Sequence, residues 1–408
     1  MTRPGFVWLD SSQIKDSWGR QSLIANEPSG EIVLQNGRTT VKHGSRIVAT
    51  GNSHLLLQTL DDIYRGEERT AVGFISYEAA LPWLGVTPRS LMHNIPDAHF
   101  FIYDQVDWLE NLADEPDLSI SPAPSHQPNK SVTVEASIDR PDYLERVNRI
   151  KWHIHEGDIY QANLTCRFDV SNSLGPIDVY ARLRELNPVP YGAFLNFGDY
   201  TVLSSSPERL FLLNDRTVMA SPVKGTIARL PDVPDEIQSK TLLASDKDRA
   251  ELLMITDLVR NDLGRVASIG SVRVDNLYRL DICSSVIHLV SDIEAELSES
   301  AALSDLLLSM LPGGSITGAP KKRAVEILVE LEPVSRSVYT GCIGYVSSGR
   351  ADFNVAIRTL TYKDGVYTVS AGGGIVADSD PESEYREMRL KASNLFKAVG
   401  AESWARID

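Results

Sequence analysis

The sequence predicts an α+β fold, because strand-like segments fall in neighbouring groups while helical patterns form long separate stretches. Asn36 and Gly37, which both tolerate positive φ, separate the strand-like runs 31–34 and 39–42 and predict a tight hairpin. From Asp142 onward, apolar residues recur at three- and four-residue spacing, which indicates an amphipathic helix. The regular strand–helix alternation of parallel βαβ folds is not evident.

The individual elements follow from the same patterns. Strands are predicted at 73–77, 200–204, 210–213, 217–220, 341–346, 353–361 and 366–370. Helices are predicted at 247–258, 303–311, 321–330 and 382–399, the last with Ser379 or Asp380 as its N-cap and Pro381 in its first turn. Prolines concentrated between 114 and 141 predict a surface connection. We therefore expect an N-terminal region, 1–130, followed by a catalytic region, 131–408.

Composition narrows the class of protein. An apolar fraction of 42% in 408 residues is ordinary for a globular chain, and a net charge of −15 disfavours a nucleic-acid partner. No uncharged apolar stretch approaches the roughly 18 residues that a membrane span needs, and the N-terminal segment has no signal-peptide core. Cys166, Cys283 and Cys342 are widely spaced, which argues against a disulfide framework or a zinc site. We expect a cytoplasmic protein.

Two helices each carry a pair of carboxylates on one face. Asp248 and Glu251 are three residues apart in one predicted helix, and Glu384 and Glu387 repeat this spacing in the last. Magnesium prefers oxygen ligands, and substrate oxygens and water often complete its coordination shell, so these pairs are candidate ligands. Lys391 lies one turn beyond Glu387. Solvated helix faces with a surface ion pair would give the same pattern.

Glycine-rich segments occur at 312–320 (PGGSITGAP) and at 371–375 (AGGGI), which contains Gly373 and Gly374. Glycine lets backbone N–H groups approach an anion closely, so either segment could cradle a carboxylate or phosphate. Neither fits the P-loop or the dinucleotide-binding pattern. Tight turns required by the fold are the alternative.

Five other residues are candidates for chemistry. Arg358 interrupts an apolar strand-like run, where its guanidinium either faces solvent or binds a carboxylate. His288 and Tyr345 lie in apolar runs and are either core residues or ring-site residues. Glu208 begins a strand and Lys224 sits at a Pro–Gly bend. Burial would make the first a general acid and the second a nucleophile, whereas exposure would leave both inert.

Taken together, these segments resemble the chorismate-utilising enzymes, which include anthranilate, aminodeoxychorismate, isochorismate and salicylate synthases. The resemblance runs in order from about 142 to 399. It is carried by SPER, PVKGT, KDRAELLMITDLVRNDLGRV, HLVS, PGGSITGAPK, IGY, AIRTL, SAGGGIVADS and EYREMRLK. So many ordered segments are more specific than any single motif among them.

The resemblance implies two facing, largely antiparallel sheets with helices outside, and a magnesium ion chelated by the ring carboxylate of chorismate. It implies a metal locus formed by Asp248, Glu251, Glu384 and Glu387. It implies substrate-carboxylate contacts from Tyr345, Arg358, Gly373, Gly374 and Lys391. It assigns Glu208 as the acid at the C4 hydroxyl and places His288 and Thr226 beside the ring.

Within the family, lysine in the PVKGT segment resembles the members that aminate chorismate at C4. The implied path is attack of the Lys224 amine at C2, followed by addition of ammonia at C4 and expulsion of the lysine. Gln161, in GDIYQANLT, resembles the ammonia-using members, whereas water-using members carry a lysine near this position. A separate glutamine amidotransferase subunit is expected to supply the ammonia, in a heterodimer. The product would be 4-amino-4-deoxychorismate, a precursor of p-aminobenzoate and folate.

Two alternatives remain at this stage. One is an anthranilate synthase large subunit, in which ammonia enters at C2. The other is a non-catalytic chorismate-binding scaffold that docks a glutaminase, although such a protein has no need of both Glu208 and Lys224. The segment 22–27 (SLIANE) departs from the tryptophan-site segment of some relatives, so we do not expect tryptophan to bind there.

Overall fold

A computed structural model describes residues 3–12, 21–66, 68–88, 95–109, 132–230, 232–283 and 286–406. Strands in the first third of the chain are β1 (Val7–Asp10), β2 (Ser22–Ala25), β3 (Gly30–Gln35), β4 (Arg38–His43), β5 (Arg46–Gly51), β6 (Thr70–Ile75), β7 (Ala98–Tyr103), β8 (Asp107–Leu109) and β9 (Thr133–Ala136). Later strands are β10 (Gln161–Ser171), β11 (Tyr191–Asn196), β12 (Thr201–Ser206), β13 (Arg209–Asn214), β14 (Thr217–Ser221), β15 (Val223–Ala228), β16 (Arg273–Ile282), β17 (Val286–Glu296), β18 (Gly318–Ala319), β19 (Cys342–Ser347), β20 (Arg350–Val355), β21 (Thr359–Lys363) and β22 (Val366–Ile375).

The helices lie between and after these strands. They are α1 (Ser53–Arg65), α2 (Tyr77–Ala80), α3 (Arg140–His155), α4 (Pro176–Leu186), α5 (Asp235–Leu243), α6 (Asp246–Gly264), α7 (Leu303–Met310), α8 (Lys321–Leu331), α9 (Pro381–Ala398) and α10 (Glu402–Ala405). Within the described ranges, no helix is both long enough and apolar enough to cross a membrane.

Two antiparallel sheets form the centre of the molecule. The first has the order β18-β10-β22-β21-β12-β11-β1-β2-β8, with β9 also on β10. The second has the order β15-β17-β14-β13-β20-β19-β6-β7-β3-β4-β5, with β16 also on β17. Side chains from both sheets share one buried cluster, in which Val7 and Val202 of the first meet Phe74 and Ile343 of the second. The two sheets therefore face each other, as expected.

Helices cover the outer face of each sheet. Apolar residues of α3, α4, α8 and α9 pack with the first sheet, and those of α1, α6 and α7 pack with the second. This arrangement buries the apolar stripe of each amphipathic helix and confirms the α+β prediction. It also brings α6 and α9, which carry the paired carboxylates, to a common end of the sandwich beside β15 and β22.

Local signals predicted several elements well. The hairpin of β3 and β4 turns at Asn36 and Gly37, which have φ of 52° and 74°. Such positive values are those of a type I′ turn, for which this residue pair is favoured. The last helix begins with Asp380 as N-cap, whose side chain accepts a hydrogen bond from the amide of Ser383. The choice left open between Ser379 and Asp380 is thereby resolved.

One predicted strand is wrong. The run 353–361 is two strands, β20 in the second sheet and β21 in the first, and the chain crosses between the sheets at 356–358. Arg358 has φ of 50°, a left-handed conformation that ends strand geometry. The apolar pattern is continuous because both strands are buried, so periodicity alone hid the break.

Strands from both predicted regions contribute to both sheets. Strand β1 pairs with β11, and β6 pairs with β19. The sheets are therefore continuous across the expected boundary at 130. Most of the proline-rich connection, 114–141, lies outside the described residues.

Candidate active site

Glu208 precedes β13 and Lys224 lies on β15, and the charge of each affects the pKa of the other. Glu208, between β12 and β13, is 5% exposed and accepts hydrogen bonds from the Ser315 hydroxyl, at 2.9 Å, and from the Val223 amide. Burial raises the pKa of Glu208 to about 7, against the opposing effects of Ser315 and of the Lys224 charge. At neutral pH this carboxyl can therefore hold a proton and donate it.

Lys224 lies on β15 among both positive and negative groups. Burial lowers the pKa of its amine, and the Lys391 charge lowers it further. The carboxylates of Glu251, Glu208 and Glu387 oppose this shift. A lowered pKa increases the fraction of free amine near neutral pH, and only the free amine is nucleophilic.

Gly225 explains how the bend at Lys224 is formed. Its φ is 78°, and a methyl group added there would lie 2.9 Å from the Cβ of Asp248. Helix α6 therefore packs directly against the backbone that carries Lys224. Asp248 lies in the first turn of this helix, where its amide bonds to the Ser245 hydroxyl. Glu251 is one turn further along, within electrostatic range of Lys224.

Helix α9 presents the second carboxylate pair. Glu384 accepts a hydrogen bond from the Ser379 hydroxyl at 2.6 Å, and Glu387 forms an ion pair with Lys391 at 2.7 Å. Burial raises the pKa of Glu384, and the neighbouring Glu387 adds to the shift. Such like-charge repulsion shows that the two carboxyls approach each other.

The glycine segment of β22 lies against α9. Lys391 donates to the carbonyl of Gly372 at 3.2 Å, and a methyl group at Gly373 would lie 3.1 Å from a carboxylate oxygen of Glu384. A methyl group at Gly374 would lie 2.8 Å from the side-chain nitrogen of Gln161. Because these glycines have no side chains, the backbone amides of the segment lie close to Lys391 and to the carboxylates of α9.

Gln161 is fully buried on β10, and neither its side-chain oxygen nor its nitrogen has a hydrogen-bond partner among the described residues. A buried unsatisfied amide costs free energy, so its retention calls for an explanation. Its position beside Gly374 gives one, because a polar ligand on the glycine segment would lie within its reach. The structure thus brings Gln161 together with Lys391 and the carboxylates of α9.

Thr226 and His288 form a hydrogen-bonded pair across β15 and β17. The Thr226 hydroxyl lies 2.8 Å from Nδ1 of His288, and the two residues are paired in register. Burial lowers the pKa of His288 to about 4, and the Arg358 charge contributes. The imidazole is therefore neutral at pH 7, which suits hydrogen bonding or ring packing better than proton transfer.

Arg358 lies in the crossing between β20 and β21. Its backbone carbonyl accepts from the Ser205 amide, and its side chain has no hydrogen-bond acceptor among the residues that the structure describes. Burial lowers the pKa of its guanidinium. A partly buried cation beside His288 without a carboxylate partner is suited to binding an anionic ligand.

Tyr345 does not join this group. It is 1% exposed, belongs to the core between the sheets, and packs edge-on against Trp108 with ring centroids 5.0 Å apart. Tyr339 takes its place, because its phenol oxygen accepts a hydrogen bond from the Gly372 amide. The expected position of Tyr345 at the site is therefore corrected, and Tyr339 is the tyrosine that lies beside the glycine segment. The order Tyr-x-Gly just before the strand was the only sequence signal for it.

The carboxylates of α6 and α9 are oxygen ligands of the kind that magnesium prefers, but they do not converge on one point. Among the described residues, no three His, Cys, Asp or Glu side chains converge as a ready metal site. Glu387 is held by Lys391 and is also affected by the charges of Lys247 and Lys224 from neighbouring elements. A substrate anion that drew Lys391 away would free Glu387 to join Glu251 and Glu384 as oxygen donors.

The chain is similar to known proteins along most of its length. The profile of the chorismate binding enzyme family matches residues 6–397. Aminodeoxychorismate synthase component 1 of Klebsiella aerogenes is 46% identical over 97% of this chain and 94% of its own length. The same component of Escherichia coli K12 is 45% identical over 65% of this chain and 59% of its length. Anthranilate synthase component 1 of Acetivibrio thermocellus is 32% identical over 96% and 89%.

A solved structure has the same architecture. The crystal structure of anthranilate synthase component I from Streptococcus pneumoniae superimposes with a TM-score of 0.76 and 28% identity. The superposition covers 97% of this chain and 94% of that one. Two facing antiparallel sheets with outer helices are therefore the shared fold.

Proposed function

Because the chain belongs to the chorismate binding enzyme family, we propose that this enzyme acts on chorismate by aminating it at C4, with Lys224 as nucleophile. The observation that carries the proposal is the pairing of a lysine of lowered pKa with a carboxyl whose pKa is raised to about 7. One group attacks while the other protonates the leaving hydroxyl. Relatives named aminodeoxychorismate synthase component 1, at 45% and 46% identity, support the same product.

In the first step, the free amine of Lys224 forms a C–N bond at C2 of chorismate. Both ring double bonds shift, from C1–C2 to C1–C6 and from C5–C6 to C4–C5, as the C4–O bond breaks. Glu208 gives its proton to the departing hydroxyl, which leaves as water. The lysine nitrogen then loses a proton, which returns to Glu208 either directly or through solvent. A neighbouring carboxyl that is protonated at neutral pH is what this step needs.

In the second step, ammonia attacks C4 and the C2–N bond to Lys224 breaks as the double bond returns. The departing lysine nitrogen takes the electron pair of that bond and one proton from the new C4 ammonium group, which releases the free Lys224 amine and leaves a neutral amine at C4. The product is 4-amino-4-deoxychorismate. A side-chain nucleophile explains why nitrogen arrives at C4, because ammonia attacking chorismate directly at C2 gives the anthranilate series instead.

Substrate carboxylates would be held by cationic side chains and backbone amides. Arg358 would bind one of them, and Lys391 with the Gly373 and Gly374 amides the other. Neutral His288, fixed by Thr226, would lie against the ring.

Magnesium would be held by Asp248, Glu251, Glu384 and Glu387, directly or through water. When bound, it would neutralise the ring carboxylate and assist departure of the hydroxyl. Glu387 would then exchange its ion pair with Lys391 for the metal.

The relatives are named as component 1, which implies a second component. We infer that a glutamine amidotransferase delivers ammonia to this chain as the other half of a heterodimer. Gln161 lies beside Gly374 and has no side-chain hydrogen-bond partner in the part of the chain that the structure describes, so it would contact ammonia or a substrate oxygen.

The test is to incubate the protein with chorismate, magnesium and an ammonium salt and to identify the product by mass spectrometry. We expect 4-amino-4-deoxychorismate, which an added lyase converts to p-aminobenzoate. Lys224→Ala should abolish this product or redirect nitrogen to C2. Lys247→Ala is the matched control, because that side chain is 70% exposed on α6 near the same carboxylates. Anthranilate from the unmodified protein would contradict C4 amination.

Anthranilate synthesis is the second candidate, and the similarity to anthranilate synthases in sequence and structure favours it. The same assay separates the two, because anthranilate is fluorescent and forms without the added lyase.

A further inference from the structure

Arg336, between α8 and β19, is a buried arginine that no step above uses. It is 3% exposed, and all five of its guanidinium N–H groups are engaged. Two bonds, of 2.8 and 2.6 Å, go to the carboxylate of Glu332. The others reach the Ile316 carbonyl at 2.9 Å, the Asn163 carbonyl at 2.6 Å and the Thr340 hydroxyl at 3.3 Å. One side chain thus joins three separate segments.

The same residue is tied to the N-terminal part of the chain. Glu78, on α2, accepts from the Arg336 amide at 2.7 Å and from the Ser337 amide at 2.8 Å. The ring of Tyr77 lies under the guanidinium, 4.4 Å from its carbon. We call Tyr77, Glu78, Glu332 and Arg336 the Arg336 cluster. Two carboxylates and bidentate geometry make it a rigid unit, because a buried charge without its partner is costly.

The first segment held by Arg336 contains the hydrogen-bond donor to Glu208. Ile316 follows Ser315, whose hydroxyl lies 2.9 Å from Glu208. The intervening backbone is a single turn at Gly314–Ile316. A displacement of the Ile316 carbonyl would therefore move the Ser315 hydroxyl directly.

The other two segments also lead to the site. Asn163 is two residues from Gln161 on β10, and its amide bonds to the Thr317 carbonyl in the same loop as Ser315. Thr340 follows Tyr339, whose phenol oxygen accepts from the Gly372 amide. The positions of the glycine segment, of Gln161 and of the loop that contains Ser315 therefore all depend on the guanidinium of Arg336.

We propose that Arg336 is a positioning residue that fixes the Ser315 hydroxyl on the Glu208 carboxyl, with Glu78 of α2 holding Arg336 in place. It touches neither substrate nor the reacting atoms. The inference rests on the proposed function only in taking Glu208 as the acid.

Glu208 is surrounded by a small set of groups that bear on its acidity. They are the Ser315 hydroxyl from the loop, and the Lys224 amine and Val223 amide from β15. Arg209 and Asp262 line the same small cavity. Of these, only Ser315 is on a segment that Arg336 holds, so the two residues should act through one hydrogen bond.

The experiment measures the pKa of the Glu208 carboxyl by carbon NMR in protein labelled at glutamate, with Glu208→Gln used to assign the signal. In Arg336→Lys, lysine keeps the charge but cannot supply five donors in a fork, so the Ser315 hydrogen bond should loosen. Because that bond lowers the pKa of Glu208, its loss should raise the pKa by about one unit. Ser315→Ala should give the same rise, and the double variant should give no further rise.

Arg216→Lys is the matched control, because Arg216 also binds backbone carbonyls, those of Leu297 and Ser298, away from the three segments. It should leave the pKa of Glu208 and the rate of chorismate consumption unchanged. In Arg336→Lys, kcat should fall at least about tenfold while KM changes far less, since the acid is misplaced and the carboxylate contacts remain. Glu78→Gln should shift the pKa in the same direction and by less, which provides a second variant if Arg336→Lys does not fold.

An unchanged pKa of Glu208 in folded Arg336→Lys and Glu78→Gln would overturn the proposal, as would additive shifts in the double variant. The NMR readout needs no turnover and no particular product. Failure of the proposed function would instead appear as a wrong product, or none, from the unmodified protein.

Discussion

Replacing Glu208 with glutamine should change how the stability of the protein depends on pH. In the folded protein, burial raises the pKa of this carboxyl from 4.5 to about 7. The folded state therefore binds the proton more tightly than the unfolded state, and Glu208 lowers the free energy of unfolding as pH rises from the lower value through the higher one. Glutamine has nearly the same shape and does not titrate, so it removes this dependence.

The magnitude follows from those two pKa values. Between about pH 5 and about pH 8, titration of Glu208 should cost the unmodified protein about 2.5 kcal/mol relative to Glu208→Gln. Urea unfolding of both proteins at the two pH values measures this difference, because groups distant from Glu208 titrate alike in the two. Glu135→Gln, on the exposed face of β9, controls for the loss of one carboxylate.

A difference between the two proteins that stays constant over this range would refute the reasoning. It would mean that Glu208 is ionised in the folded protein at neutral pH. Glu208 would then be unable to protonate the leaving hydroxyl, and the assigned acid would have to be another group.

Three further predictions concern substrate and metal binding. Arg358→Lys should raise KM for chorismate about tenfold or more with a smaller change in kcat, because lysine cannot form the bidentate contact. Steady-state kinetics measures both constants, and an equal loss in kcat would contradict this role. Tyr339→Phe should raise KM about fivefold, because it removes the hydrogen bond to the Gly372 amide, whereas Tyr345→Phe should leave KM unchanged. A larger rise in KM for Tyr345→Phe than for Tyr339→Phe would instead place Tyr345 at the site. Glu387→Gln should weaken magnesium binding in the presence of chorismate, measured by calorimetry, and unaltered affinity would remove this residue from the ligand set.

Elements governed by local chemistry were predictable from the sequence. The hairpin at Asn36 and Gly37 and the start of α9 at Asp380 depend on residues within a few positions of each other. The carboxylate pairs also followed from helical spacing. The two facing sheets were predicted from the ordered family segments, because the resemblance implies a complete fold, whereas hydrophobic periodicity predicts only single elements.

Features that depend on the meeting of distant segments were not predictable in this way. The pattern around Arg358 is apolar on both sides because two buried strands from different sheets adjoin there, and only the positive φ reveals the crossing. Tyr345 lies on β19 and meets Trp108 in the core, whereas Tyr339 lies six positions earlier, before the strand begins, and this difference arises only in the folded chain. The pKa values of Glu208 and Lys224 likewise arise from burial that involves β15, α6, α9 and the loop together.

The most direct test of Lys224 as nucleophile is intact-protein mass spectrometry after incubation with chorismate and magnesium in the absence of ammonia. The account predicts a covalent adduct with the mass of chorismate minus one water, located on Lys224 by peptide mapping and discharged by ammonium salt as 4-amino-4-deoxychorismate. Turnover to an amine product with no adduct on Lys224, in protein quenched during the reaction, would contradict it.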